Sequence, residues 1–172
     1  LTTPKPLIEI AGKTIIQRIV DIITQAPKNT IKNIGFIIEQ PHLEIEQKLH
    51  TIAKKNKIKS HVFYQYKAKG TAHAIFCAKQ ILNGPVLVVF ADTLFEANLT
   101  FPKECDGAIL VKKVKDPSAY GVVKVNETGQ ITAFVEKPKD LVSNLAIVGI
   151  YYFKDGLRLS KEIEFILKNN IK

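Results

Sequence analysis

The 172-residue sequence contains no methionine, not even at position 1. A natural start would carry one, so Leu1 is expected not to be the true N-terminus, and the chain reads as a piece of something longer. Cysteine is nearly as scarce. Cys77 and Cys105 lie far apart, without a CxxC pair or a histidine at metal-ligand spacing. That argues against a disulfide framework or a metal site, and for two buried small hydrophobes in a reducing cytoplasm. No apolar run approaches the roughly 18 residues needed to cross a bilayer, and no signal-peptide pattern opens the chain. A cytoplasmic chain with no membrane partner is therefore expected. Repeats and low-complexity segments are also missing. His42, His50, His61 and His73 show no spacing suited to a shared metal. They read as surface or packing residues, with His73 nearest to a ligand because of its place at a helix start.

Acidic residues are the next shortfall. Lysine and arginine number 25 against 16 aspartate and glutamate, a formal net charge of +9. Such a field suits polyanionic partners. The lysines are spread over the whole chain, however, and no arginine- or aromatic-rich RNA motif accompanies them, which favours polyphosphates over nucleic acid. With 46% hydrophobic and 24% charged residues the composition is that of an ordinary soluble globular protein, suited to one domain with an ample core.

What is present alternates. Ile15, Ile16, Ile19, Val20, Ile22, Ile23 and Ala26 form an apolar stripe that predicts a helix over 13–26. IKNIGFII at 31–38 predicts a strand. Pro41 opens a helix with Ile45, Leu49, Ile52 and Ala53 on one face, and 60–65 alternates as a short strand. A third, largely buried helix is expected over 70–82. PVLVVFA at 85–91 has the continuous apolar character of a central parallel strand covered on both faces. To this point strand and helix alternate, which implies right-handed crossovers and a mostly parallel sheet. Segments 107–114, 119–125, 131–135 and 145–153 then read as strands with short connections, Asn126-Glu127-Thr128-Gly129 as a hairpin turn, and the stretch from Ser160 as a last helix. The expected fold is α/β, a mixed, mostly parallel central sheet flanked by helices. A βαβ layer precedes an antiparallel-rich half within one continuous sheet.

Several residues could carry chemistry. Pro4 and Pro6 bracket Lys5 and hold it on a stiff, non-helical segment, which suits either a phosphate-binding cation or a solvated lysine on a surface loop. Asp92 follows the buried strand, at the carboxyl end where open α/β sheets bind ligands. A carboxylate there is either a ligand for a hard cation such as Mg²⁺ or the cap of the following turn. Gln65 ends a strand ahead of the Gly70-Thr71 helix start, and its amide can both donate to and accept from a base edge. Gly70 permits close backbone approach, and the helix start presents free N–H groups. Glu136-Lys137-Pro138 ends another strand. Adjacent strand residues face opposite ways, so only a twist or bulge would let both touch one ligand; otherwise they are an exposed ion pair.

Taken in order, LTTPKPLIEIAGKTII, YQYKAKGTAHAI, VVFADTLF, DPSAYGVVKV, ITAFVEKPKD and SNLAIVGIYYF resemble the sugar-1-phosphate nucleotidyltransferases, a family that includes glucose-1-phosphate thymidylyltransferases and uridylyltransferases. The stretches cover nearly the whole chain in the family's order; each is modest and together they are specific. The resemblance implies a Rossmann-like nucleotide-diphospho-sugar transferase fold, with residues 1–172 as one catalytic domain incomplete at both ends. It implies that a sugar-1-phosphate oxygen attacks the α-phosphate of a nucleoside triphosphate, dTTP or UTP favoured, and that pyrophosphate leaves. Mg²⁺ is the implied cofactor, and oligomeric state stays open, a homo-oligomer included. Lys5 and Lys137 then match catalytic lysines, Asp92 the catalytic Mg²⁺-binding aspartate, and Gln65, Gly70 and Thr71 the nucleotide-binding positions. Gly121, Glu136, Lys137 and Asn144 match positions on the sugar and its phosphate.

Three departures accompany the resemblance. The family's GxGxRLxP loop and its first strand would precede Leu1. Its second metal-binding aspartate would lie beyond Lys172, and Ala91 stands where many members carry glycine. The 172 residues alone are therefore expected to be inactive or nearly so. The alternative is a non-catalytic, nucleotide-sugar-binding regulatory domain of the same fold.

Overall fold

The structure, a computed structural model, describes residues 4–25, 31–97, 99–100 and 104–169. It opens with a single 3-10 turn over Lys5–Leu7, closed by the Leu7 N–H on the Pro4 carbonyl at 2.8 Å. Lys5 thus stands on a helical turn rather than on the non-helical segment expected. The φ that proline imposes is shared by extended and 3-10 backbone, so proline alone does not choose between them. Strands β1 (Glu9–Ile10) and β2 (Lys13–Thr14) form a short antiparallel hairpin. Ala11 and Gly12, at φ 47° and 76°, make the two-residue turn. This hairpin delays helix α1 to Ile15–Gln25; Ala26, at the expected end, lies outside the described residues.

Helix α1 buries Ile16, Ile19, Val20 and Ile23, a spacing that makes one continuous stripe. It packs beside α2 (Leu43–Lys55) on the parallel pair β3 (Asn33–Ile38) and β4 (Lys59–Tyr64). Ile16, Val20, Phe36, Leu49, Ile52 and Ala53 form the buried cluster at that junction, with Leu7, Ile38, Val62 and Ala91 against it. The start of α2 is fixed by a reciprocal cap: the Ile45 N–H donates to His42 Nδ1, and the His42 N–H donates to Glu46. Gly35 faces the opposite side, where a Cβ would stand 2.7 Å from the Ile81 side chain. Ile81 belongs to a 3-10 turn, Lys79–Ile81, that follows α3 (Thr71–Cys77), so the expected helix over 70–82 is broken in two. Helices thus cover both faces of the pair.

The second half is a five-stranded sheet built on β9 (Leu145–Phe153). Strand β6 (Gly107–Lys113) runs antiparallel along its length, while β5 (Val86–Val89) pairs with Ile150–Phe153 and β7 (Gly121–Val125) pairs with Ala146. Strand β8 (Ile131–Glu136) closes the sheet as a hairpin with β7. The Asn126 side-chain oxygen holds that turn by accepting from the Thr128 and Gln130 N–H groups, and Gly129 takes φ 80° there. Val122, Val123 and Ile150 are buried at its centre. Helix α4 (Gly156–Lys168) starts four residues before the expected Ser160, because Asp155 caps the N–H groups of Leu157 and Arg158.

The α/β class and the flanking helices stand as expected, but the strand directions do not. Among the described residues only β3–β4 is a parallel pair; β5 is antiparallel to its partner, and β3–β4 and the five-stranded sheet are separate. A continuous apolar run reports burial on two faces and is silent about direction, which is set by whichever strand lies alongside. Cys77 and Cys105 are thiols, and both are half-buried rather than buried.

Candidate functional site

Strands β5 and β7 approach β9 from opposite ends and meet near its Ile147–Gly149 stretch. Val89 pairs with Ile150, the Phe90 N–H donates to the Gly149 carbonyl at 2.9 Å, and Val122 pairs with Ala146. Gly149 holds φ 89° there, and a Cβ on it would press on the Phe90 ring at 3.3 Å. Asp92 therefore leaves the sheet close to where Gly121 enters it. Its exposed carboxylate has one partner among the described residues, the Thr93 hydroxyl, which donates to Oδ1 at 3.2 Å. It caps no described N–H group. A carboxylate with a spare oxygen at a strand end is a suitable ligand for a hard cation whose remaining ligands come from phosphates and water. No group of three or more His, Cys, Asp or Glu side chains arranged for a metal occurs among the described residues.

Gly121 and Glu136 face each other across the β7–β8 pair. A Cβ on Gly121 would stand 2.9 Å from Glu136 Oε2 and 3.5 Å from Ile147 Cδ1, so the missing side chain makes the room that the carboxylate occupies. Lys137 then leaves the strand at φ 42°, with its N–H on the Tyr120 carbonyl at 3.1 Å. Strict alternation ends at Glu136, and the obstacle to Glu136 and Lys137 serving one ligand falls with it. Neither side chain forms an ion pair among the described residues. Tyr151 adds a group that the sequence did not single out. Burial pushes its hydroxyl above the usual tyrosine range, and the negative charge of Glu136 adds to the effect. Its ring lies 5.5 Å from that of Phe90, two residues before Asp92.

Gln65 follows β4, its N–H on the Ile38 carbonyl at 2.8 Å. Its Nε2 lies 3.0 Å from the Gly70 carbonyl and 3.0 Å from His73 Nδ1. Gly70, at φ 90°, adopts a backbone open to glycine, and Thr71 is the exposed first residue of α3. Lys5 is exposed and stands two residues before Leu7, which packs on the same cluster as Ala91 and Ile38. Asn144 precedes β9, its carbonyl accepting from the Val114 N–H at 3.0 Å; among the described residues its side chain forms no hydrogen bond with Glu136 or Lys137.

The predicted residues thus fall on two supports. Lys5 and Asp92 are chain neighbours of Leu7 and Ala91, and Gln65 bonds Ile38; Leu7, Ala91 and Ile38 all pack on the α1–α2–β3 cluster. Gly121 and Glu136 share a rung of β7–β8, Gly121 beside Ile147 of β9, and Phe90-Ala91 links the two groups in sequence. A separate cavity of about 270 Å³ lies between the segments 115–118 and 138–141 and contains none of them. Asp116 there is held below the usual carboxylate range by the Ser118 N–H, which it accepts at 3.0 Å. The remaining histidines are structural: His42 caps α2, His50 bonds Ser60, and His61 stacks on Phe63. No described helix is long and apolar enough to cross a membrane.

Comparison with known proteins shows the family and the fold. The family model for nucleotidyl transferases matches residues 1–168. The chain is 34% identical over 167 residues to the mannose-1-phosphate guanylyltransferase catalytic subunit beta of Drosophila melanogaster, covering 91% of this chain and 44% of that protein. It is 33% identical over 150 residues to the bifunctional protein GlmU of Methanocaldococcus jannaschii, covering 87% and 35%. The chain thus spans less than half the length of these curated relatives. Among solved structures, a Bacillus anthracis protein assigned as a glucose-1-phosphate thymidylyltransferase aligns at a TM-score of 0.76 and 22% identity, over 99% of this chain and 68% of that one. A nucleoside-diphosphate-sugar pyrophosphorylase of Vibrio cholerae aligns at 0.71 and 18%, over 99% and 71%. At these identities the likeness establishes a shared fold.

Proposed function

The chain belongs to the nucleotidyl transferase family, and from that premise we propose that residues 1–172 form the catalytic domain of a sugar-1-phosphate nucleotidyltransferase. The substrates are a nucleoside triphosphate, dTTP or UTP favoured with GTP also compatible, and a sugar 1-phosphate. The observation that supports the proposal is the meeting of β5 and β7 beside Gly149, where the chain running on to Asp92 leaves β9 close to where Gly121, the rung partner of Glu136, enters.

Chemically, an oxygen of the sugar phosphate forms a bond to the α-phosphorus, and the bond from that phosphorus to the pyrophosphate oxygen breaks. Such a transfer needs in-line placement and neutralisation of developing charge more than covalent help. Lys5 and Lys137 are the cations offered to the two phosphates. Glu136 and the backbone beside Gly121 accept from and admit the sugar hydroxyls. Gln65, Gly70 and Thr71 receive the nucleoside. Asp92 would hold a divalent cation, Mg²⁺ by the hardness of its oxygen ligand, and that ion would supply further neutralisation at the phosphates. The exposure of all four charged groups, Lys5, Asp92, Glu136 and Lys137, matches a role toward ligand rather than toward the fold.

The test is pyrophosphate release by the intact protein with Mg²⁺, the common nucleoside triphosphates and a panel of sugar 1-phosphates. Turnover with one pairing is the expected result. Tight binding of a nucleotide sugar without turnover would overturn the catalytic proposal in favour of a regulatory domain. Cytoplasmic location and action without nucleic acid are part of the same proposal.

A further inference from the structure

From the contacts of Gln65 we infer that His73 is a specificity-determining positioning residue: it occupies the second amide hydrogen of Gln65 and leaves that side chain a pure acceptor toward the base. The inference presupposes, as proposed above, that Gln65 faces a nucleobase. Gln65 Nε2 lies 3.0 Å from the Gly70 carbonyl and 3.0 Å from His73 Nδ1. A carbonyl only accepts, so the amide cannot turn its oxygen toward Gly70 without setting two acceptors against each other. The nitrogen is thereby fixed in place, and it can only donate. His73 Nδ1 must then hold a lone pair, with the ring proton on Nε2.

Both amide hydrogens are spent inside the protein, and Oε1 has no partner among the described residues. The anchoring is firm at the backbone too, through the Gln65 N–H on Ile38. A free glutamine reads adenine with a donor and an acceptor together. With its nitrogen engaged, Gln65 loses that paired reading and offers one acceptor. Such a group suits a ring N–H, which uracil, thymine and guanine possess and which adenine and cytosine lack. Losing His73 would free a hydrogen beside Oε1 and restore the permissive pair.

The experiment is a set of binding titrations of UTP, dTTP, GTP, ATP and CTP on the intact protein, its His73→Leu variant and its His73→Asn variant. An asparagine oxygen can take the place of Nδ1 as the acceptor. Wild type should favour the ring N–H bases, His73→Leu should lose about tenfold of that preference, the scale of one hydrogen bond, and His73→Asn should retain it. Nitrogen-15 NMR of the wild-type imidazole, which needs no variant to fold, should report the Nε2–H tautomer. A wild-type preference for ATP or CTP, an unchanged ranking in His73→Leu, or an Nδ1–H tautomer would each overturn the role of His73 while leaving the transferase proposal intact. Failure of the wild type to bind any triphosphate overturns both.

Discussion

Gly121 and Glu136 occupy one rung of the β7–β8 ladder, and the glycine is there because the glutamate side chain lies across it. The nearest atom to a Cβ at 121 is the far end of a flexible side chain, 2.9 Å away, not backbone. Gly121→Ala should therefore move the carboxylate at small cost to the fold, less than about 1 kcal/mol. KM for the sugar 1-phosphate should rise about tenfold as one hydrogen-bonding group is misplaced. Kinetics beside a thermal melt separate the two effects, and an unchanged KM would remove Glu136 from the sugar.

Lys137 takes a left-handed backbone that a lysine adopts at a cost of about 1–2 kcal/mol. A residue strained where its ammonium is proposed to act makes opposite predictions for stability and activity. Lys137→Gly should raise the denaturation midpoint by relieving the strain, and should lower kcat/KM by removing the cation. A variant that is both more stable and fully active would show that the ammonium does nothing.

Asp92 is exposed and holds only the Thr93 hydroxyl among the described residues. Asp92→Asn should thus leave the melting temperature unchanged and cut Mg²⁺-dependent turnover by about 10²–10³, the usual scale for losing a charge-stabilising group. Wild-type rates in this variant would take Asp92 out of the site.

Tyr151 gives a pH signature. Burial first and the Glu136 charge second raise its hydroxyl above the ordinary value of 10.0. The folded state retains a proton there that the unfolded chain gives up, so this contribution to stability is complete below pH 10 and is lost as pH climbs through the raised value. Glu136→Gln should bring the tyrosinate absorbance transition down only part of the way, because burial remains.

Gly156 is buried at the start of α4, with its N–H on the Gly84 carbonyl at 2.7 Å. A Cβ would meet Val86 Cγ2 at 2.6 Å and the Leu82 and Gly84 backbone at 2.9 and 3.0 Å. Since backbone cannot step aside cheaply, Gly156→Ala should cost about 1–3 kcal/mol in denaturant unfolding.

Legibility in the sequence followed the physics of each element. Strand β9 was found at its full extent, since LAIVGIYYF is apolar throughout and bounded by polar residues. The Asn126–Gly129 turn was equally plain, because asparagine and glycine act through local geometry. The direction of β5 was hidden, since pairing depends on β9, some sixty residues downstream. The start of α4 rests on one capping side chain, Asp155, which the apolar spacing after it does not reveal. At the site, strand ends and glycines marked Asp92, Gly121 and Glu136. Tyr151 and Gly149 sit inside an apolar run and announce nothing until the sheet brings them beside Glu136 and Phe90. The bonds from Gln65 to Gly70 and His73 depend on how a five-residue loop folds back, which no periodicity encodes.

Phe90 and Ala91 face different neighbours. The first is held by Gly149 in the antiparallel sheet, the second by the helices over β3. One peptide link thus joins the two halves of the molecule just ahead of Asp92. A phosphate touched by Lys5 from one half and by Lys137 from the other would act as a strut between them, and the carboxylate at 92 would stand at the knee of that frame.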